Sequence, residues 1–332
     1  MQEDEMQRAP DQEQGDQRDR DRAHSVPEYS IAEQGQRMAT EVLYHPVGLG
    51  LILVVITFFA YQLFGGIITF LLFGLNTTEH IAGVRVVTVI SQVLFLVVPA
   101  IVYLRLLGWK PAEALRLRMP RLMPLLMVVV SMVALQFAMQ SYMEFQQHLL
   151  RQYLLPDVLL PLLDAFEDLL EELYGKLLAM HTPMEALAVW LVVAVTPAIC
   201  EEILFRGAVQ RSFEKKLRLR WAFLLSGVIF SLFHLNPVTF IPLALLGVYF
   251  SVIVWRGRSL AYAVIGHGVN NSIAVIAVYF FQSEHMLPAD AATGTTSLPM
   301  YAISGVIALI VFVAAFSYFW ILTRSTRNIS TY

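Results

Sequence analysis

Cysteine is all but missing from this 332-residue sequence: Cys200 stands alone. No disulfide can form within the chain, and one thiol says little about redox compartment. Charge is scarce too, with Asp, Glu, Lys and Arg making up 15% of residues against about a quarter in a soluble domain. The net charge of −3 argues neither way about nucleic acid, but the basic residues are scattered through short loops and form no patch that would bind it. No Walker or Gly-x-Gly-x-x-Gly run supports nucleotide binding, and no Gly-x-Ser-x-Gly elbow supports acyl-serine chemistry. The His-Glu-x-x-His spacing that would make zinc a strong expectation is also absent.

What is abundant is apolar surface. Hydrophobic residues are 57% of the chain and mean hydropathy is +0.61, which fits an all-α, polytopic membrane helix bundle. Runs of about 20 apolar residues mark spanning helices. Eight are expected, near 48–74, 81–104, 121–140, 185–214, 221–236, 238–255, 259–282 and 299–323. Lys and Arg cluster after every second span (Arg105 to Arg121, Arg211 to Arg220, Arg256 and Arg258, Arg324 and Arg327). The positive-inside rule puts those loops in the cytoplasm, so the chain reads as N-in and C-in. Short loops and the lack of an organelle signal point to a bacterial plasma membrane.

Residues 1–45 differ from the rest. They are rich in Gln, Asp, Glu and Arg and too poor in apolar residues to build a core, so a disordered cytoplasmic tail is expected there; the stretch is too long and acidic for a signal peptide. Three spans follow over 46–140. Residues 141–184 carry seven acidic side chains between Glu144 and Glu172 and leucines at helical spacing, which predicts an outward amphipathic helix on the membrane surface or over the mouth of the bundle. A core of helices over 185–282 and a final span with a short tail over 283–332 complete the division.

The core begins with Thr196-Pro197-Ala198-Ile199-Cys200-Glu201-Glu202-Ile203-Leu204-Phe205-Arg206. Two carboxylates and a guanidinium therefore sit inside a membrane-length helix, at a cost of roughly 2.5 to 3.5 kcal/mol for each charge. Such groups either lock helices together or mark a site. Residues four apart share a helix face, so Arg206 can pair with Glu202, which leaves Glu201 without a partner in its own helix. Cys200 beside it invites a nucleophile reading, but a small buried thiol in an apolar helix is the reading adopted. The adjacent pair Glu171-Glu172 makes a useful contrast, because it lies on a wet face with Lys176 four residues on.

Two of eight histidines fall inside spans. His234 closes Phe230-Ser231-Leu232-Phe233-His234, and His267 opens His267-Gly268-Val269-Asn270-Asn271. At 1.5 Å per residue, Glu201 lies about 20 Å from Lys215, His234 about 20 Å from Arg220, and His267 and Asn271 roughly 13 and 20 Å from Arg258. Three helices thus bring their rare polar groups to one depth, which makes a buried polar site the expectation.

Glu-Glu-x-x-x-Arg at 201–206, Phe-x-x-x-His at 230–234 and His-x-x-x-Asn at 267–271, in this order on three membrane helices, resemble the CAAX protease and bacteriocin-processing family of intramembrane proteases, also called the Abi or CPBP family. The resemblance covers 185–282, about a third of the chain. It implies an endopeptidase acting on a membrane-associated substrate, with Glu201, Glu202, Arg206, His234, His267 and Asn271 as site residues. The residue chemistry agrees. A carboxylate among apolar helices suits a general base working near neutral pH, so Glu201 with His234 is expected to hold the attacking water, while His267 and Asn271 could donate to the oxyanion. Glu201, His234 and His267 also form a candidate zinc set, and the family has often been described as metalloproteases.

Other classes remain open at this point. A proton-coupled transporter would also place Glu, Arg and His at the midplane, but the paired broken helices of internal repeats are not found. A catalytically silent scaffold or immunity-type protein of the same fold is the stronger rival. The expected partners are the lipid bilayer and a membrane-associated protein or peptide substrate, which could be a prenylated tail, a leader or a membrane segment; no nucleic acid or nucleotide is expected. The orientation can be tested directly. In a Cys200→Ala background, Lys110→Cys and Lys215→Cys should be shielded from a membrane-impermeant thiol reagent in intact cells, and Asp168→Cys should react. Reaction at 215 but not at 168 would reverse the orientation.

Overall fold

In the computed structural model, residues 45–74, 79–281 and 298–324 are described. The tail expected over 1–45, apart from His45, lies outside the described residues, as do the connection 282–297 and residues 325–332. Every regular element among the described residues is a helix. Apart from a single turn at Pro111–Ala114, these are in chain order α1 (Pro46–Phe73), α2 (Ile81–Leu106), α3 (Leu122–Leu154), α4 (Leu160–Leu178), α5 (Pro183–Glu214), α6 (Leu219–Phe233), α7 (Phe240–Gly257), α8 (Ala261–Phe281) and α9 (Leu298–Leu322). Helices suit such sequences because each N–H finds its carbonyl within the segment, as a spanning element needs where no water is available. Large apolar side chains such as Ile56, Phe70, Leu71 and Ile310 lie bare on the outside, which suits a lipid surround.

Among the described residues seven helices are long and apolar enough to cross a membrane, and of the eight expected spans one, the fifth, is shorter than these. The fifth expected span, 221–236, is α6 with only 15 residues, about 22 Å of helix against a hydrocarbon core of about 30 Å. Asn236-Pro237 ends it: the Asn236 Oδ1 accepts from the backbone N–H of Val238 at 3.0 Å and of Thr239 at 3.2 Å, an Asx-type turn that sends the chain straight into α7. The third span overshoots in the other direction. α3 has no break at residue 140 and runs on to Leu154, because its polar end has partners. Gln140 donates to Glu144 at 3.1 Å, and Gln147 donates to Glu167 on α4 at 2.6 Å.

α4 is the amphipathic helix expected between 141 and 184, and it is fastened at both ends. Arg151 at the end of α3 reaches Asp164 and Glu167, each at 2.6 Å. At the other end Arg85 of α2 donates to Leu177 O through Nε at 3.2 Å and Nη2 at 3.0 Å, and to Ala179 O at 2.5 Å. The last carbonyls of a helix have no partner of their own and favour a cation. α5 starts cleanly after α4: Thr182 caps Glu185 N at 3.2 Å, Pro183 occupies the first turn, and Glu185 reaches back to His181 N at 2.6 Å, a close variant of the capping box.

The core packs around α5, with α6 and α7 in close antiparallel contact. Their closest approach is made by two glycines. A Cβ on Gly247 would lie 2.7 Å from the Gly227 Cα, and one on Gly227 would lie 2.6 Å from Ala244 O. Both obstacles are backbone, so neither can step aside. Gly247→Ala should force α6 and α7 apart at a cost of at least the 1–3 kcal/mol typical of overpacking. Melting of the detergent-solubilised protein should fall for Gly247→Ala and stay unchanged for Gly66→Ala, since a Cβ at Gly66 meets nothing within 4 Å.

Candidate active site

Pro197 shapes the helix that carries the two glutamates. Proline has no N–H to give to the carbonyl one turn back, that of Val193, and α5 widens into π turns at Leu191–Val195 and Ile203–Val209, on either side of Thr196–Glu202. π turns within α-helices are frequent at functional sites. Asn271 of α8 donates through Nδ2 to Val193 O at 3.0 Å, so a side chain from another helix makes up for the missing donor. Asn270 in turn donates to Asn271 Oδ1 at 3.1 Å.

The adjacent glutamates then face different surroundings. Glu202 is fully buried. Its Oε1 accepts from Arg206 Nη1 at 2.9 Å, as the spacing of four predicts, and from His267 Nδ1 of α8, also at 2.9 Å. Arg206 is buried as well and donates through Nη2 to Gly247 O at 3.1 Å. Its guanidinium carbon lies 4.5 Å from the ring centre of Phe230, 5.2 Å from Phe250 and 5.9 Å from Phe205, so aromatic faces supply further electrostatic partners. The His267 ring stacks on Phe250 with centres 5.4 Å apart.

Glu201, one residue and about 100° round the helix, turns to His234 of α6. Its Oε2 lies 3.8 Å from His234 Nε2, and that oxygen is buried with no hydrogen-bond partner among the described residues. His234 Nδ1 is 2.8 Å from Phe230 O. A carbonyl only accepts, so Nδ1 carries the proton and Nε2 of the neutral ring presents a lone pair. Two acceptors therefore face each other across a gap too long for a hydrogen bond between them. A water about 2.8 Å from each would satisfy both with its two O–H groups, leaving its own lone pairs free.

Glu201, His234, His267 and Asn271 line one cavity of about 1230 Å³, so the common depth read from the helices is matched by a common space. Arg206 and Glu202 stand behind the wall. α4 covers the cavity through residues such as Glu171, Tyr174 and Leu178. Burial, and next the charge of Glu201, push the Tyr174 phenol up, which places the cover within electrostatic reach of the carboxylate. α2 adds Thr88 and Gln92 to the wall, residues that the motif reading passed over. Arg85 and Gln92 were visible as polar groups inside an apolar run, the signal that identified Glu201.

The candidate zinc set is not brought together. His267 commits Nδ1 to Glu202, and among the described residues no three His, Cys, Asp or Glu side chains cluster closely enough to hold a metal ion. The two donors expected at the oxyanion have partners of their own. Asn271 Nδ2 is engaged with Val193 O, and His267, with Nδ1 turned to a carboxylate, can donate elsewhere only as the doubly protonated ring.

Residues 183–273 match a family model described as type II CAAX prenyl endopeptidase Rce1-like. This segment is similar to the Rce1-like family. That match bears out the resemblance drawn from the three motifs, and it spans all of them. The Rce1-like family is one of peptidases, and seven helices among the described residues are long and apolar enough to make the chain an integral membrane protein. No curated protein and no solved structure matches the chain.

The buried pair yields a stability prediction for the Rce1-like segment. Glu202→Leu leaves Arg206 without its carboxylate, and breaking a buried pair this way typically costs about 3 to 5 kcal/mol. The double variant Glu202→Leu, Arg206→Leu removes the stranded charge and should recover much of the loss in thermal melting. Equal stability of the single and double variants would show that the pair is not what holds these helices.

Proposed function

We propose that the protein is an intramembrane endopeptidase that adds water to a peptide bond of a membrane-associated polypeptide. The observation that carries this reading is the pair of facing acceptors, Glu201 Oε2 and His234 Nε2, 3.8 Å apart on the wall of a covered cavity, which a single water lying off the line between them would bridge. The match of this segment to a peptidase family supports it. In the reaction, Glu201 takes a proton from the water as its oxygen attacks the carbonyl carbon. His234, fixed by its bond to Phe230 O, keeps the water aligned. His267, held against Glu202, stabilises the oxyanion in its doubly protonated form. The proton on Glu201 then passes to the departing amine, which returns the carboxylate and releases two peptides.

The name of the matched family speaks of prenyl substrates. For this chain a prenylated tail, a leader peptide and a membrane-protein segment all fit a cavity larger than the 300–1,000 Å³ typical of small-molecule sites. Among the described residues no three side chains gather as metal ligands, and the steps above are assigned to side chains and water.

Glu201→Gln keeps the side-chain shape and removes the base. It should lower cleavage by a factor of about 10² to 10⁴, measured as peptides released from membranes, with expression and melting unchanged. Cleavage by the wild-type protein should survive a chelator. Stoichiometric metal in the purified protein that is lost in His234→Ala would overturn the water-only mechanism, and unaltered cleavage by Glu201→Gln would overturn the assignment of the base.

A further inference from the structure

The two faces of the bundle are built differently. On the face of the basic loops, side chains tie the loops together. Arg116 pairs with Glu214 at 2.6 Å and Arg211 with the same carboxylate at 2.9 Å. Ser259 donates to Arg118 O at 2.5 Å, Arg121 N to the Tyr262 hydroxyl at 3.1 Å, and Arg256 to Thr323 at 3.1 Å and Trp320 O at 3.0 Å. Arg121 also bonds Leu322 O. Residues 105–121, 211–220 and 256–262 and the end of α9 are thereby joined into one layer.

The cavity belongs to the opposite half. It takes its walls from the middle of α5 (Val192 to Glu201), the end of α6, the first turns of α7 and α8 from His267 to Tyr279; of these His267, about 13 Å along its helix from Arg258, comes nearest a basic end. Its cover, α4, lies in the acidic connection on that same side. The cavity also holds acceptors that the fold leaves unused. Gln92 Oε1 on α2 and Asn270 Oδ1 on α8 are buried without a hydrogen-bond partner among the described residues, and Gln92 is only 5% exposed. Buried polar groups ordinarily have partners. An extended peptide carries a row of backbone N–H donors suited to such acceptors.

We propose that the substrate is a polypeptide segment on the non-cytoplasmic side of the membrane, which enters in extended form beneath α4, between α2 and α8, and not a tail presented from the cytoplasm. This rests on the peptidase reading above and adds to it the side from which the scissile bond arrives. Lys and Arg retention in the cytoplasm assigns the sides, and the layer of tied loops lies at the cytoplasmic ends of the helices. Gln92 and Asn270 act as positioning residues that receive substrate N–H groups.

Two measurements on the full-length protein in cells test this. Thr88→Cys and Ala274→Cys, at cavity-wall positions outside the reacting groups, are made separately in the Cys200→Ala background and exposed to a membrane-impermeant thiol reagent. Both should react in intact cells; reaction only after the membrane is opened overturns the proposal. In parallel, peptide termini in membranes with the wild-type protein are compared by mass spectrometry with those from Glu201→Gln cells. Termini lost in the variant should map to non-cytoplasmic segments. Loss of termini that map to cytoplasmic segments overturns the sidedness and leaves the peptidase reading standing. No difference in termini between the two cell types ends the peptidase reading, and the proposal with it, whichever way the cysteines react.

Discussion

The carboxylate of Glu202 is the constraint around which the candidate site is arranged. An ion removed from water is tolerated only when paired and hydrogen-bonded, and Glu202 is fully buried. Its two donors come from different places, Arg206 from its own helix and His267 from α8. Arg206 is then obliged to find partners of its own, and it finds them in the Gly247 carbonyl of α7 and in the rings of Phe230 on α6 and Phe250 on α7. One buried charge pair therefore ties α5, α6, α7 and α8 together. The Gly227–Gly247 approach belongs to the same requirement, because a wider crossing of α6 and α7 would carry the Gly247 carbonyl and the Phe230 ring apart on either side of the guanidinium.

α4 answers a different problem. A polar cavity opening into lipid would expose Glu201 and Gln92 to hydrocarbon, where an unsatisfied polar group costs several kcal/mol. A helix with one apolar and one acidic face can close the opening while remaining wet on its outer side. Its fastenings are suited to that position. Arg85 holds carbonyls at the helix end that would otherwise have no donor, and Arg151 bridges two carboxylates at once. Both arginines sit on helices that themselves reach the cavity side of the bundle, so the cover is registered to the walls and not merely laid upon them.

Helix geometry made part of this arrangement legible in the sequence. The i, i+4 rule linked Arg206 to Glu202 and set Glu201 apart, and the rise per residue brought Glu201, His234, His267 and Asn271 to one level. What remained hidden depends on contacts between helices. Depth alone does not reveal rotation about a helix axis, so His267 could be placed beside the glutamates but not assigned to Glu202 over Glu201, and the zinc set looked as reasonable as the bond that formed. The bond from Asn271 to Val193 O was hidden because that open carbonyl is visible only when Pro197 is counted as a missing donor. The overshoot of α3 past residue 140 escaped for a related reason: its polar stretch is unattractive for a span and becomes helical through partners on α4, many residues downstream.

The division between the two glutamates also follows from this geometry. Adjacent helical residues cannot share a face, so a buried acid that fixes the bundle leaves its neighbour pointing about 100° away, toward α6 and the cavity. Glu201 keeps an oxygen without a partner because the helix spends Arg206 on Glu202. His267 is where the two duties meet. One ring nitrogen serves the buried carboxylate, and the same ring lines the cavity, so its position relative to Glu201 is fixed through Glu202. A change that loosens the buried pair would disturb the space around the reactive one even with Glu201 and His234 intact, whereas a change at Glu201 leaves the pair untouched. With Glu201 as the proposed base, stability runs through Glu202 and reactivity through Glu201, with the coupling directed from the first to the second.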